Sequence, residues 1–131
     1  WADYQFGPIE KDTSIAFFDC HVNNARRMLE AHAKGFRHLL FDDNPPVHKL
    51  YVTGLPGFPT ANMVFNYIDA DTSMRRFSWH FKGEAVSYPL DLEEALQAKR
   101  LMLRHVTFPD VGNLSRYGGH CSFLSYVELK A

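Results

Sequence analysis

Ile15–Phe18 is a continuous apolar run rather than an alternating one, the pattern of a strand covered on both faces, and Phe36–Phe41 supplies a second buried-strand candidate. Between them Val22, Ala25, Leu29 and Ala33 recur at helical spacing, with Arg26, Arg27, Glu30 and Lys34 available for the wetter side. Gly35 stands where a helix C-terminal glycine belongs, and Pro45-Pro46 prevents the second run from continuing. Strand, helix and strand in so short a stretch predict a βαβ unit, a parallel pair joined by a right-handed crossover.

Farther along, the pattern thins. Residues 1–13 read as a leading loop, HKLYVTG as a strand or an extended loop, and GLPGFPT (54–60) as irregular. Residues 62–72 are mixed and predict no element. Arg76 to Val86 alternates in part, through Phe77, Trp79 and Phe81, and predicts a strand. Asp91 with Glu94 makes a capping-box-like start, after which Leu92, Ala95, Leu96, Met102, Leu103 and Val106 fall on one helical face. A turn at Gly118-Gly119 and a strand to about Leu129 close the chain.

These 131 residues suit one domain with a real core. A hydrophobic content of 46% and a net charge of −1 describe a globular chain. That charge gives no electrostatic case for nucleic acid or an anionic membrane surface, so neither is expected as a partner. No apolar run approaches the ~20 residues of a membrane-spanning helix. Cys20 and Cys121 lack zinc-site spacing and read as buried free thiols, which leans toward a reducing, cytoplasmic compartment. The start at Trp1, with no initiator methionine, suits a processed product or a piece of something longer.

Candidate chemistry gathers where the two early runs stop. SIAFFDCH ends its strand on Asp19, and RHLLFDDN ends on Asp42 and Asp43. Neighbouring strands lie ~4.8 Å apart, so carboxylates at their tips can meet. Three together repel, and a raised pKa or a bound cation must relieve that. Oxygen ligands suit magnesium or manganese, with His21 as a fourth ligand or a general base. The competing reading makes Asp19 the cap of the following helix and Asp43 the anchor of the turn before Pro45. His120-Cys121 reads as structural, Arg75-Arg76 as a solvated strand edge, and His32, His38, His48, His80 and His105 share no uniting spacing.

The block FFDCHVNNARRMLEAHAKGFRHLLFDDN resembles the C-terminal half of class I S-adenosylmethionine-dependent methyltransferases, most of all the macrocin-type sugar O-methyltransferases. The resemblance implies an α/β, Rossmann-like three-layer sandwich with a mainly parallel sheet and an antiparallel last strand, present here as a partial domain over residues 1–131. It implies a divalent metal on Asp19, Asp42 and Asp43, S-adenosylmethionine as methyl donor and a hydroxylated small molecule as acceptor. His21 stands where the family has a second aspartate and is the candidate catalytic base. Gly35-Phe36 replaces the family's Gly-Gly turn, and no glycine-rich cofactor turn is found. That lack keeps open a non-catalytic α/β interaction or structural subunit, in a homo-oligomer or a larger assembly, to which the aromatic content would suit an interface. A metal-dependent sugar-nucleotide transferase is a third reading.

Overall fold

The computed structural model describes residues 1–20, 22–44, 60–71, 73, 76–81, 84–108 and 123–131. His21, the HKLYVTG and GLPGFPT stretches, Arg75, Gly118-Gly119 and His120-Cys121 lie outside the described residues.

The first apolar run forms β1 (Ile15–Phe18) and the helical pattern forms α1 (Asn24–Ala33). Asn23 caps α1, its side-chain oxygen accepting from the Ala25 N–H at 2.9 Å. Asp19 therefore does not serve as the cap. The helix stops at Gly35, which sits at φ +88°, where a side chain would be strained. The Gly35 N–H donates to the His32 carbonyl at 2.9 Å and the Phe36 N–H to the Ala31 carbonyl at 3.0 Å. That pair of bonds is a Schellman closure, and it drops buried Phe36 into the core. The chain then enters β2 (His38–Phe41), parallel to β1 in the register Ile15↔His38 to Phe18↔Phe41.

Residues 61–67, where the pattern predicts nothing, form α2 (Ala61–Tyr67), capped by the Thr60 hydroxyl on the Met63 N–H. The alternating stretch after Arg76 is a hairpin rather than one strand: β3 (Arg76–Phe81) pairs antiparallel with β4 (Glu84–Pro89) as a separate two-stranded sheet. Asp91 caps α3 (Leu92–Leu101), as the Asp91/Glu94 spacing predicts, with the Glu94 N–H donating to its carboxylate at 3.1 Å. The helical face predicted through Met102, Leu103 and Val106 does not form, because the helix ends at Leu101. Those residues belong to β5 (Met102–Thr107), which follows α3 without a connecting residue and pairs with β6 (Ser125–Leu129).

The main sheet has the order β1-β2-β6-β5. β6 is antiparallel to both of its neighbours, so β1, β2 and β5 point one way and the last strand runs against them. By pairing, the sheet is mixed rather than mainly parallel, and the chain is a mixed α/β fold. One face carries Phe18, Leu39, Phe41, Val127 and Leu129, which pack with Ala25, Met28 and Ala31 of α1, Val64 of α2 and Ala98 of α3. All three helices thus share one face, and a third layer is not among the described elements. Each large side chain fully buried here contributes about 1.5–3 kcal/mol.

Candidate functional site

Because β1 and β2 are adjacent and parallel, their carboxyl ends lie side by side. The ladder runs one residue past the strands, with the Asp42 N–H donating to the Phe18 carbonyl at 2.9 Å. The backbone therefore brings the acidic ends together as the sequence predicts. Beyond the carboxyl ends of strands is where open α/β sheets bind ligands.

The side chains follow a different plan. Asp19 is exposed, while Asp42 and Asp43 are half-buried. The Asp42 carboxylate turns back to accept from the Asp43 N–H at 2.8 Å. Asp43 takes φ +50°, a left-handed conformation that aspartate tolerates better than most residues and that the Asp42 contact braces. Among the described residues, no group of three or more His, Cys, Asp or Glu side chains is placed to hold a metal ion. Asp19, Asp42 and Asp43 as they stand do not fit the magnesium or manganese centre that the family resemblance implies.

What the strand ends do contain is a buried asparagine network. Asn24, Asn44 and Asn62 are fully shielded from solvent. The Asn44 amide nitrogen donates to the Asn24 side-chain oxygen at 2.8 Å, and the same oxygen accepts from the Ala61 N–H at 3.0 Å. Asn24 in turn donates to the Val22 carbonyl at 3.0 Å. Asn62 donates through its side chain to the Asn44 carbonyl at 2.6 Å and through its backbone to the Asn44 side-chain oxygen at 3.3 Å. The Thr107 hydroxyl completes the chain by donating to the Asn62 side-chain oxygen at 2.7 Å. The Asn44 N–H reaches the Phe123 carbonyl at 2.7 Å. Three asparagines thus tie the exit of β2 to the first turns of α1 and α2 and to the end of β5. Sequence reasoning missed them. The signal was an asparagine directly after the Asp-Asp pair and asparagines in the opening turns of helices, where short amides replace missing backbone partners.

Two further clusters border this edge. Glu94 of α3 accepts from the Asn23 side chain at 2.6 Å and from the Arg26 guanidinium at 2.9 Å, which clips α1 to α3. Arg26 is raised above its ordinary range by that hydrogen bond and charge. Arg27 pairs with Glu30 along α1. Its burial pulls the guanidinium pKa down, but hydrogen bonds to Cys20 and Glu30 outweigh this and leave it raised. Cys20 is a free thiol, half-buried where the sequence predicts a buried one. On the helix-covered side, His105 packs tilted against Phe65 with ring centroids 4.8 Å apart, and burial holds its pKa below the ordinary histidine range.

Chemically, the strand ends offer hydrogen-bond acceptors on a braced backbone. No family model, no curated protein and no solved structure matches this chain.

Proposed function

We propose that the chain is an O-methyltransferase-like domain that takes S-adenosylmethionine as methyl donor and a hydroxylated small molecule as acceptor. The observation that carries the reading is the sheet, in which β6 enters between β2 and β5 and opposes both, next to a βαβ pair with acidic carboxyl ends. That order and those directions fit the latter half of a Rossmann-like, three-layer methyltransferase sandwich. Asp19, Asp42 and Asp43 contribute acceptors for substrate hydroxyls at the ligand end of the sheet, and His21 is the base that takes the hydroxyl proton.

Calorimetry with S-adenosylmethionine and S-adenosylhomocysteine tests the reading. Micromolar binding of the cofactor, with methyl transfer to a polyol acceptor that drops in Asp42→Ala and in His21→Ala, is the expected outcome. Absence of cofactor binding, with magnesium or manganese present or omitted, overturns it in favour of a non-catalytic α/β subunit. Titration with either cation alone is the second arm. Saturable binding abolished by Asp43→Ala would restore the metal-assisted form of the reaction.

A further inference from the structure

His105 is a titratable side chain with one nitrogen sealed in. Its Nε2 is shielded from solvent and has no hydrogen-bond partner among the described residues. The ring lies against Phe65 of α2 on the helix-covered face of the sheet. An unpaired, neutral Nε2 forgoes one hydrogen bond. A proton on that nitrogen puts a donor and a charge in the same sealed place, which costs considerably more.

The described elements packed on His105 give such a charge no partner. α2 has one titratable residue, Tyr67, which is exposed. α3 brings a cation, Lys99, whose ammonium donates to the Phe65 carbonyl at 2.7 Å and lies 5.7 Å from the centre of the Phe65 ring. The other charges of α3 are engaged elsewhere or exposed: Glu94 holds Asn23 and Arg26, Glu93 accepts from Gln97, and Arg100 is exposed. On the sheet, Val127 stands opposite His105, while Arg104 and Glu128 oppose each other one position along, on the other face. Burial alone accounts for the lowered pKa of the ring.

We infer that α2 is a latch released by mild acid: a proton on His105 lifts the Phe65 turn from β5 and frees the Asn62–Thr107 contact beside it. A helix of seven residues does not hold itself together, so α2 depends on what it touches. Two of its side chains grip β5, Phe65 on His105 and Asn62 on the Thr107 hydroxyl at 2.7 Å. Thr107 lies two residues beyond His105 on the same face, so movement of the ring reaches both. Asn62 also holds Asn44 at the exit of β2, through bonds of 2.6 and 3.3 Å. Release of α2 therefore loosens the carboxyl ends of the sheet, where the strand tips are tied. The latch stands whether or not the chain transfers a methyl group.

Hydrogen exchange on the full chain, read residue by residue from about pH 7.5 to about pH 5 and corrected for the intrinsic pH dependence of exchange, tests it. Leu39, in the middle of the main sheet, is the internal reference. The expected result is that protection of the Phe65 and Asn66 amides falls about threefold or more relative to Leu39 as the pH drops. The midpoint of that fall should coincide with the titration of the His105 ring followed by NMR in the same sample. His105→Phe keeps a ring against Phe65 and cannot take a proton, so its α2 amides should hold their protection at both ends of the range. His105→Gln, which is also unable to gain a charge, gives the same reading should the phenylalanine not fit. Protection of Phe65 and Asn66 that ignores pH, that falls only in step with Leu39, or that falls equally in the folded variant overturns the proposal.

Discussion

Asn44 shows how one residue can matter without touching solvent. Its amide donates to Asn24, its side-chain oxygen and carbonyl both receive Asn62, and its own N–H is taken up by Phe123. Replacing a buried partner leaves the others unsatisfied, which costs about 1–3 kcal/mol per orphaned group. Asn44→Ala should therefore lose roughly 2–4 kcal/mol in urea denaturation, against about 1 kcal/mol or less for Asp19→Ala, whose side chain is exposed. Equal losses would refute the network's role. His105 makes a pH-dependent contribution. Its folded pKa is lowered by burial, so between that value and the unfolded one, about 6.5, the unfolded chain binds more protons. Stability is thus lost as pH falls through this window and is retained above it. His105→Phe, which keeps the ring against Phe65, should show a smaller loss between about pH 7.5 and pH 5 than the wild type. The acidic residues were visible in the sequence as a motif, but the asparagines were not, because hydrogen-bond networks between distant segments leave no periodicity to read.

Elements with their own punctuation were legible. α1 is framed by an apolar stripe and by Gly35, and α3 by Asp91 with Glu94, and both start or stop where these residues predict. Failures occurred where tertiary partners decide. Leu101-Met102-Leu103 can extend a helix as readily as a strand. Pairing with β6, anchored by the Lys130 N–H on the Leu101 carbonyl at 2.8 Å, selects the strand. Alternation through Phe77, Trp79 and Phe81 predicts one strand where β3 and β4 form a hairpin, because no Asn-Gly or Asp-Gly pair separates the two arms. The seven-residue α2 is too short for a periodicity to emerge, and it stands on its Thr60 cap and its buried Ala61, Met63 and Val64. Gly35 gives the sharpest test at this scale. A Cβ there would meet nothing closer than the Lys11 side chain at 3.8 Å, so space does not forbid a larger residue, but φ +88° does. Gly35→Ala should cost about 1–2 kcal/mol by thermal denaturation with α1 otherwise intact. A neutral result would mean the helix ends without its left-handed residue.

At the scale of the whole molecule, stability is expected to be uneven, since one sheet has four strands under three helices and the other is a two-stranded hairpin. The four-stranded sheet lays Leu39, Phe41, Val127 and Leu129 against three helices, all at or near zero exposure. β3 and β4 form a two-stranded sheet of their own, and Arg76, Ser78, Glu84, Ala85 and Ser87 on it are exposed. The side-chain bonds seen on this hairpin, from the Arg76 guanidinium to the Ser87 hydroxyl at 2.6 Å and between Ser78 and Ser87 at 3.3 Å, compete with water. A two-stranded hairpin is marginal on its own, and segments whose bonds are exposed to water open locally at a small fraction of the global free energy. Native-state hydrogen exchange should then rank the amides. Those of Leu39 and Val127 should exchange only through global unfolding, with rates that follow denaturant steeply. Those of Ser78 and Ser87 should exchange earlier and with little denaturant dependence. Should Ser78 and Ser87 prove as protected as Val127, the hairpin would belong to the same cooperative unit as the main sheet. Its strands would then owe their stability to packing on the α/β core rather than to their own pairing.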